Sequence, residues 1–265
     1  MTKQSEKGTA LVTGASSGIG SVYAERLARR GYDLLLVARD QQRLEKLAAS
    51  LSADYGVAVE VLKADLTRKD DIKQVAQRLR SDNAITLLVN NAGVAMDGAF
   101  IEANLDTVDS MLELNVVALT HLAAAAGASF AAAGKGAIIN LASVVALAPE
   151  MFNATYSATK AYVLSLSQSL HSELSKQGVQ IQAVLPGVTR TEIWERSGID
   201  ATRIPEAMVM DAGEMVDAAL AGFDQGELIT IPSLPDAADW NAFVAARAKL
   251  GPNLSHNKAA ARYKA

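Results

Sequence analysis

The 265-residue chain has no cysteine, three histidines and six prolines, and only 5% of its residues are aromatic. Without cysteine there is no disulfide framework, no thiolate nucleophile and no cysteine metal site, which leads us to expect a reducing, cytoplasmic compartment. His121, His171 and His256 lie far apart with no H-E-x-x-H spacing, so no metal centre is expected. Basic residues (25) are fewer than acidic ones (29), the net charge is −4, and no basic stripe interleaves with aromatics, which argues against nucleic acid as a partner. The N-terminal Met1 to Lys7 is polar and runs directly into an apolar segment, so no signal-peptide core is expected. Long apolar runs are also missing. The alanine-rich stretch 123–133 is broken by Gly127 and Ser129, which suits a close helix contact better than a bilayer, so no membrane association is expected.

What the chain does have is apolar content, 50% of its residues, enough to bury one large core, and a single domain over 1–265 is expected. Strand-like runs recur at 9–13, 33–38, 57–62, 85–90, 136–142, 179–185 and 227–231, separated mostly by helix-periodic segments. Several are nearly continuous in apolar residues, as strands covered on both faces must be. The pattern predicts an α/β architecture, a doubly wound, seven-stranded parallel sheet of the Rossmann kind with helices on both faces.

Two long helices, 107–133 and 155–176, hold more small and apolar residues than one sheet face needs, which predicts a homodimer or homotetramer packed through them. Asn115 falls inside the first, a poor helix position that hints at an interruption of the helical ladder. Arg26, Arg29 and Arg30 close a helix between Gly18 and Gly31 and are expected to lie on a solvated face, complementing the helix dipole. Asp70-Asp71 marks an acidic helix start. The long apolar segment 188–212 is expected to be a substrate lid, and 235–265 a C-terminal extension with a helix at 237–250.

The chemistry concentrates in three places. Thr13-Gly14-x-x-x-Gly18-x-Gly20 runs from a strand into a helix, where glycines let the backbone approach a pyrophosphate and the helix N-terminus offers amides to the anion. The second strand ends in Ala38 followed by Arg39, with no carboxylate at Ala38 to hold a ribose 2′-hydroxyl, so NADP(H) is preferred and NAD(H) stays admissible. Tyr156 and Lys160, one helical turn apart, follow Ser143 at a strand's carboxyl end. A free phenol titrates near 10, so a proton donor at neutral pH calls for a cation to stabilise the phenolate, worth roughly 4 kcal/mol.

Thr13 to Gly20, Asp65-Leu66, Asn90-Asn91-Ala92-Gly93, Asn115, Ser143, Tyr156, Lys160 and Pro186-Gly187-x-x-x-Thr191, as an ordered set, make the chain resemble the short-chain dehydrogenase/reductase family, and in particular NADP-preferring bacterial members. The resemblance implies Ser143, Tyr156 and Lys160 as catalytic triad with Asn115 holding a relay water. It implies cofactor contacts from Gly14, Ser16, Ser17, Gly18, Ile19, Gly20, Arg39, Asp65, Leu66, Asn91, Ala92, Gly93, Tyr156, Lys160, Pro186, Gly187, Val188 and Thr191. The end of the chain, Glu227 to Leu234 and the tail beyond, departs from the glycine-rich close of many family tetramers.

The expected activity is NADPH-dependent reduction of a ketone or aldehyde, a small-molecule substrate, with Val94, Met96, Val145, Leu147, Phe152, Trp194 and Met208 as pocket walls. Alternatives are an alcohol or hydroxysteroid dehydrogenase working in the oxidative direction, and a nucleotide-binding redox sensor.

Overall fold

In the computed structural model of the chain, which describes residues 5–193, 197 and 204–264, seven parallel strands form one sheet in the order β3-β2-β1-β4-β5-β6-β7. The strands are β1 (Thr9–Thr13), β2 (Asp33–Ala38), β3 (Val59–Lys63), β4 (Ile85–Asn90), β5 (Gly136–Leu141), β6 (Val179–Val184) and β7 (Ile229–Thr230). All seven fall within or beside the expected runs; β7 is shortened to two residues. The chain reverses its direction of growth between β1 and β4, which opens a crevice at the carboxyl edge there, the usual ligand position of such sheets.

The helices are α1 (Gly18–Arg29), α2 (Gln41–Tyr55), α3 (Lys69–Ser81), α4 (Leu105–Leu112), α5 (Leu119–Ala133), α6 (Ala154–Leu174), α7 (Ala212–Asp224) and α8 (Ala237–Ala248). Successive strand residues point to opposite faces, so each strand feeds two cores. Ala10, Val12, Leu34, Leu36 and Val89 meet Tyr23 and Leu27 of α1, Leu44 of α2 and Met215 of α7. Leu11, Leu35, Val37, Leu88 and Ile138 meet Ile72 and Leu79 of α3 and Leu122 and Phe130 of α5. Each fully buried leucine contributes roughly 2 kcal/mol, and the continuous apolar strands are explained by this two-sided burial.

Several expectations need correction. The helix expected over 107–133 is interrupted by a π-helical turn, Glu113–Ala118, with Asn115 inside it. With α4 included, Leu105–Ala133 is long and apolar enough to cross a membrane, but Ala118, Leu122, Ala125, Ala126 and Phe130 are buried in the core instead. The arginines ending α1 are not merely solvated: Arg26 pairs with Asp217 at 2.7 Å and Arg30 with Asp224 at 2.9 Å, tying α1 to α7. The acidic start of α3 is present as Asp70 and Asp71.

The chain divides into two compact units, the first ending at Pro232 and the second beginning at Ser233. The sheet and every buried described residue belong to the first. In the second, α8 stops at Ala248 rather than 250, buries none of its residues, and stacks Trp240 on Phe243 with ring centres 5.4 Å apart.

Candidate active site

The β1–α1 turn is built around its glycines. Gly14 and Gly18 have left-handed φ values of +66° and +53°, and a Cβ on Gly14 would lie 2.8 Å from Asn91 Nδ2. A Cβ on Gly20 would lie 2.3 Å from the Gly14 carbonyl oxygen, so α1 can approach the turn only without a side chain there. Ser17 caps α1 in extended backbone with no side-chain hydrogen bond, leaving the first helical amides for an anion. Across the crevice, Thr13 Oγ1 accepts from the amides of Asn91 and Ala92 at 3.0 Å each and donates to the Val89 carbonyl. Asn91 Nδ2 donates to the Thr13 carbonyl at 2.8 Å, so one threonine and one asparagine hold the turn of Ser16 and Ile19 against the Asn91-Ala92-Gly93 loop. This cradle fits a dinucleotide.

Beyond β2, Arg39, Lys63, Asp65, Arg68 and Asp71 line a shallow depression. Burial pushes the Asp65 carboxyl up, but hydrogen bonds from the Thr67 amide and hydroxyl and the charges of Arg39 and Arg68 outweigh it and hold its pKa below the ordinary value. Leu66 is 5% exposed and packed in the core, so its side chain is closed to a ligand.

Tyr156 and Lys160 lie on α6, which starts at Asn153: its Oδ1 accepts from the Tyr156 amide at 3.0 Å, and its Nδ2 donates to the Gly98 carbonyl at 2.9 Å. Ser143 follows β5, and its hydroxyl reaches the Pro186 carbonyl at 3.4 Å. Lys160 is buried, donates to the Leu141 carbonyl at 2.8 Å, and has its Nζ 5.6 Å from the centre of the Tyr156 ring. Burial pushes the phenol up to about 12, opposed by the Ser143 hydrogen bond. Burial pushes Lys160 down to about 8. The lowering expected of the phenol calls on a cationic nicotinamide as well as Lys160; in the chain by itself the ammonium donates to a backbone carbonyl and desolvation of the ring dominates. Asn115 is buried, exchanges two hydrogen bonds of 2.9 Å with the peptide groups of Val94, and donates to Thr159 Oγ1 at 3.2 Å.

From β6 the chain runs through Pro186, Gly187 and Val188 across the carboxyl edge. Thr191 lies 3.3 Å from where a Gly18 Cβ would be, and Glu192 pairs with Arg43 of α2 at 2.9 Å. Since β6 stands three strands from β1, roughly 14 Å, this segment is a strap over the crevice. Thr189 and Met210 form a parallel bridge. Of the expected pocket walls, Val94 and Met96 cluster with Tyr156, and Phe152 meets the Tyr156 ring edge-on at 5.4 Å. Val145 is partly buried in the turn after Ser143, Leu147 and Met208 are exposed, and Trp194 lies outside the described residues. Sequence reasoning assigned no role to Thr13, Asn153 or Thr159; Asn153, a favoured capping residue just ahead of the helix, is a signal that could have shown one of them.

A family model described as short chain dehydrogenase matches residues 8–201. The chain belongs to the short-chain dehydrogenase family. A solved short-chain dehydrogenase from Sphingobium yanoikuyae, in complex with NADPH, is 54% identical with a TM-score of 0.94, covering 97% of this chain and 100% of that one. A bulky-bulky ketone specific alcohol dehydrogenase from Comamonas testosteroni is 48% identical with a TM-score of 0.90, over 97% and 99%. An uncharacterized oxidoreductase of Staphylococcus epidermidis is 34% identical over 216 residues, 79% of this chain and 92% of that protein. The expected family and the Rossmann-like sheet are thereby met, and this short-chain dehydrogenase is an oxidoreductase acting on alcohol and ketone groups.

Proposed function

We propose that this short-chain dehydrogenase reduces a bulky, largely apolar ketone or aldehyde with NADPH, Tyr156 supplying the proton. The observation that carries the reading is the approach of Ser143, Tyr156 and Lys160 at the carboxyl edge of β5, beside the glycine-lined crevice. Gly14, Ser16, Ser17, Gly18, Ile19 and Gly20 hold the pyrophosphate, and Arg39, in a depression it shares with Lys63 and Arg68, takes the 2′-phosphate. Asp65 and the Leu66 backbone meet the adenine; Asn91, Ala92, Gly93, Pro186, Gly187, Val188 and Thr191 line the nicotinamide end. NADPH, when bound, supplies the hydride. The Ser143 hydroxyl holds the carbonyl oxygen, Tyr156 protonates it, and the Lys160 cation stabilises the phenolate that remains.

Substrate bulk is supported by exposed Phe100 (61%), Ile101 (91%) and Met151 (71%), and by the Asn153 bond to Gly98 that joins the Gly98 loop to the start of the catalytic helix. The bulky-bulky ketone specificity of the Comamonas relative supports the same reading. The segment 188–212, of which 194–196 and 198–203 lie outside the described residues, acts as a lid. Exposed Leu112 and Tyr162 support self-association through helices 107–133 and 155–176, and the absence of cysteine supports a cytoplasmic setting.

The test is initial-rate NADPH consumption, with NADH in parallel, over ketones graded from acetone-sized to diaryl. Turnover that favours NADPH and rises with substrate bulk is expected. Tight NADPH binding without turnover on any carbonyl would sink the reductase reading, and activity confined to alcohol oxidation with NAD would reverse its direction.

A further inference from the structure

The hydroxyl of Thr159 sits between two catalytic elements, and each of its hydrogen bonds has a fixed sense. Thr159 is 1% exposed; its Oγ1 donates to the Tyr156 carbonyl at 2.7 Å and accepts from Asn115 Nδ2 at 3.2 Å. The first bond alone would be the ordinary back-bond of a helical threonine. The second sets it apart. A hydroxyl has one proton, and here it is spent on Tyr156, so towards Asn115 the oxygen can only accept.

Asn115 is committed just as fully. The Val94 amide donates to its Oδ1 and the Val94 carbonyl accepts from its Nδ2, both at 2.9 Å, which fixes which end of the side-chain amide faces α6. The second hydrogen of Nδ2 is then aimed at Thr159, in a place closed to bulk solvent. The Gly93 side of the same loop is equally tight: a Cβ there would lie 3.2 Å from Asn115 Oδ1 and 3.7 Å from Lys160 Nζ. Loop, π-helical turn and catalytic helix thus meet at one hydroxyl, one residue before Lys160.

We infer that Thr159 is a positioning residue for the reduction, its hydroxyl holding the Asn115 turn and the Val94 loop in register with Tyr156 and Lys160. The inference rests on the reductase reading above. A methyl in place of the hydroxyl leaves a buried amide hydrogen unpartnered, and the π-helical turn, already a departure from regular helix, is the element free to give. The pyrophosphate and 2′-phosphate of the dinucleotide, held by the glycine turn and Arg39, lie away from this bond, and only its nicotinamide end comes near the loop that the bond supports.

The experiment compares Thr159→Val and Thr159→Ser with the parent enzyme in kcat, ketone KM, NADPH dissociation constant by fluorescence, and melting temperature. Thr159→Val is expected to lose at least tenfold in kcat with NADPH affinity within twofold, and Thr159→Ser to stay within about threefold of the parent in every constant. A Thr159→Val enzyme with parental kcat would overturn the inference, as would a loss shared equally by kcat and NADPH affinity that Ser does not rescue. If Thr159→Val does not fold, Thr159→Ala takes its place, and the same split between kcat and affinity decides. A parent protein that binds NADPH and reduces no ketone would overturn the functional reading, and the role of Thr159 with it; a parent that turns over while the variant matches it overturns the role alone.

Discussion

Lys160 is an expensive residue to bury. Burial holds its ammonium near pKa 8 against an ordinary 10.5, with one carbonyl as hydrogen-bond partner. The unfolded chain keeps that proton up to about pH 10.5 while the folded chain releases it near 8, so unfolding takes up a proton between those values and stability rises with pH across the window. Below it the full cost applies, up to about 3 kcal/mol. Lys160→Met is expected to abolish turnover yet raise the stability measured by denaturant unfolding at pH 7, with the gain shrinking towards pH 10.5. A gain of the same size at every pH would assign it to packing instead. Arg39→Ala should weaken NADPH binding roughly 10- to 100-fold and leave NADH nearly unchanged; equal losses in a titration of both would remove Arg39 from the 2′-phosphate site. These residues were legible because their partners are close in sequence or their spacing is a motif. Thr13 and Thr159 were not, because their telling contacts come from 78 and 44 residues away.

Among the elements, the parallel strands were legible for a physical reason: burial on both faces leaves no polar alternation to confuse with a helix or a loop. The π-helical turn was half legible. Asn115 was out of place by propensity, but the extra residue of the turn is imposed by the Val94 peptide, a tertiary partner. The segment of the strap was singled out in the sequence as an apolar loop, but its tie to α2 was not legible, since the pairing of Arg43 with Glu192 joins residues that share no motif. Both side chains are nearly half exposed, so the pair contributes little to stability, under about 1 kcal/mol. Its consequence is kinetic if the strap must lift for the cofactor to leave. Glu192→Gln is then expected to speed NADH release about three- to fivefold at low salt and to remove most of the salt dependence seen in the parent. Stopped-flow release from the two proteins, superimposable at all salt concentrations, would show that the strap does not gate the crevice. NADH is the better probe because it lacks the 2′-phosphate, whose own attraction to Arg39 is screened by salt.

At the scale of the whole molecule, the division at Pro232 separates what folds the protein from what the sheet does not need. A core supported on both sheet faces closes with α7 and β7, and the residues from Ser233 onward add no buried side chain to it. The family motifs in the sequence end at Thr191, well short of this boundary, which is why the extension could not be interpreted from them. A chain ending at Pro232 is therefore expected to keep its far-ultraviolet circular dichroism and to melt within about 2 °C of the full chain, because about 1 kcal/mol corresponds to 2–4 °C at this size. Light scattering on the same two samples reads the other use of such a segment. An unchanged melting point with a smaller particle mass would assign the exposed Trp240–Phe243 stack to association between copies, and a fall of 6 °C or more at constant mass would mean that the extension is held by its own chain.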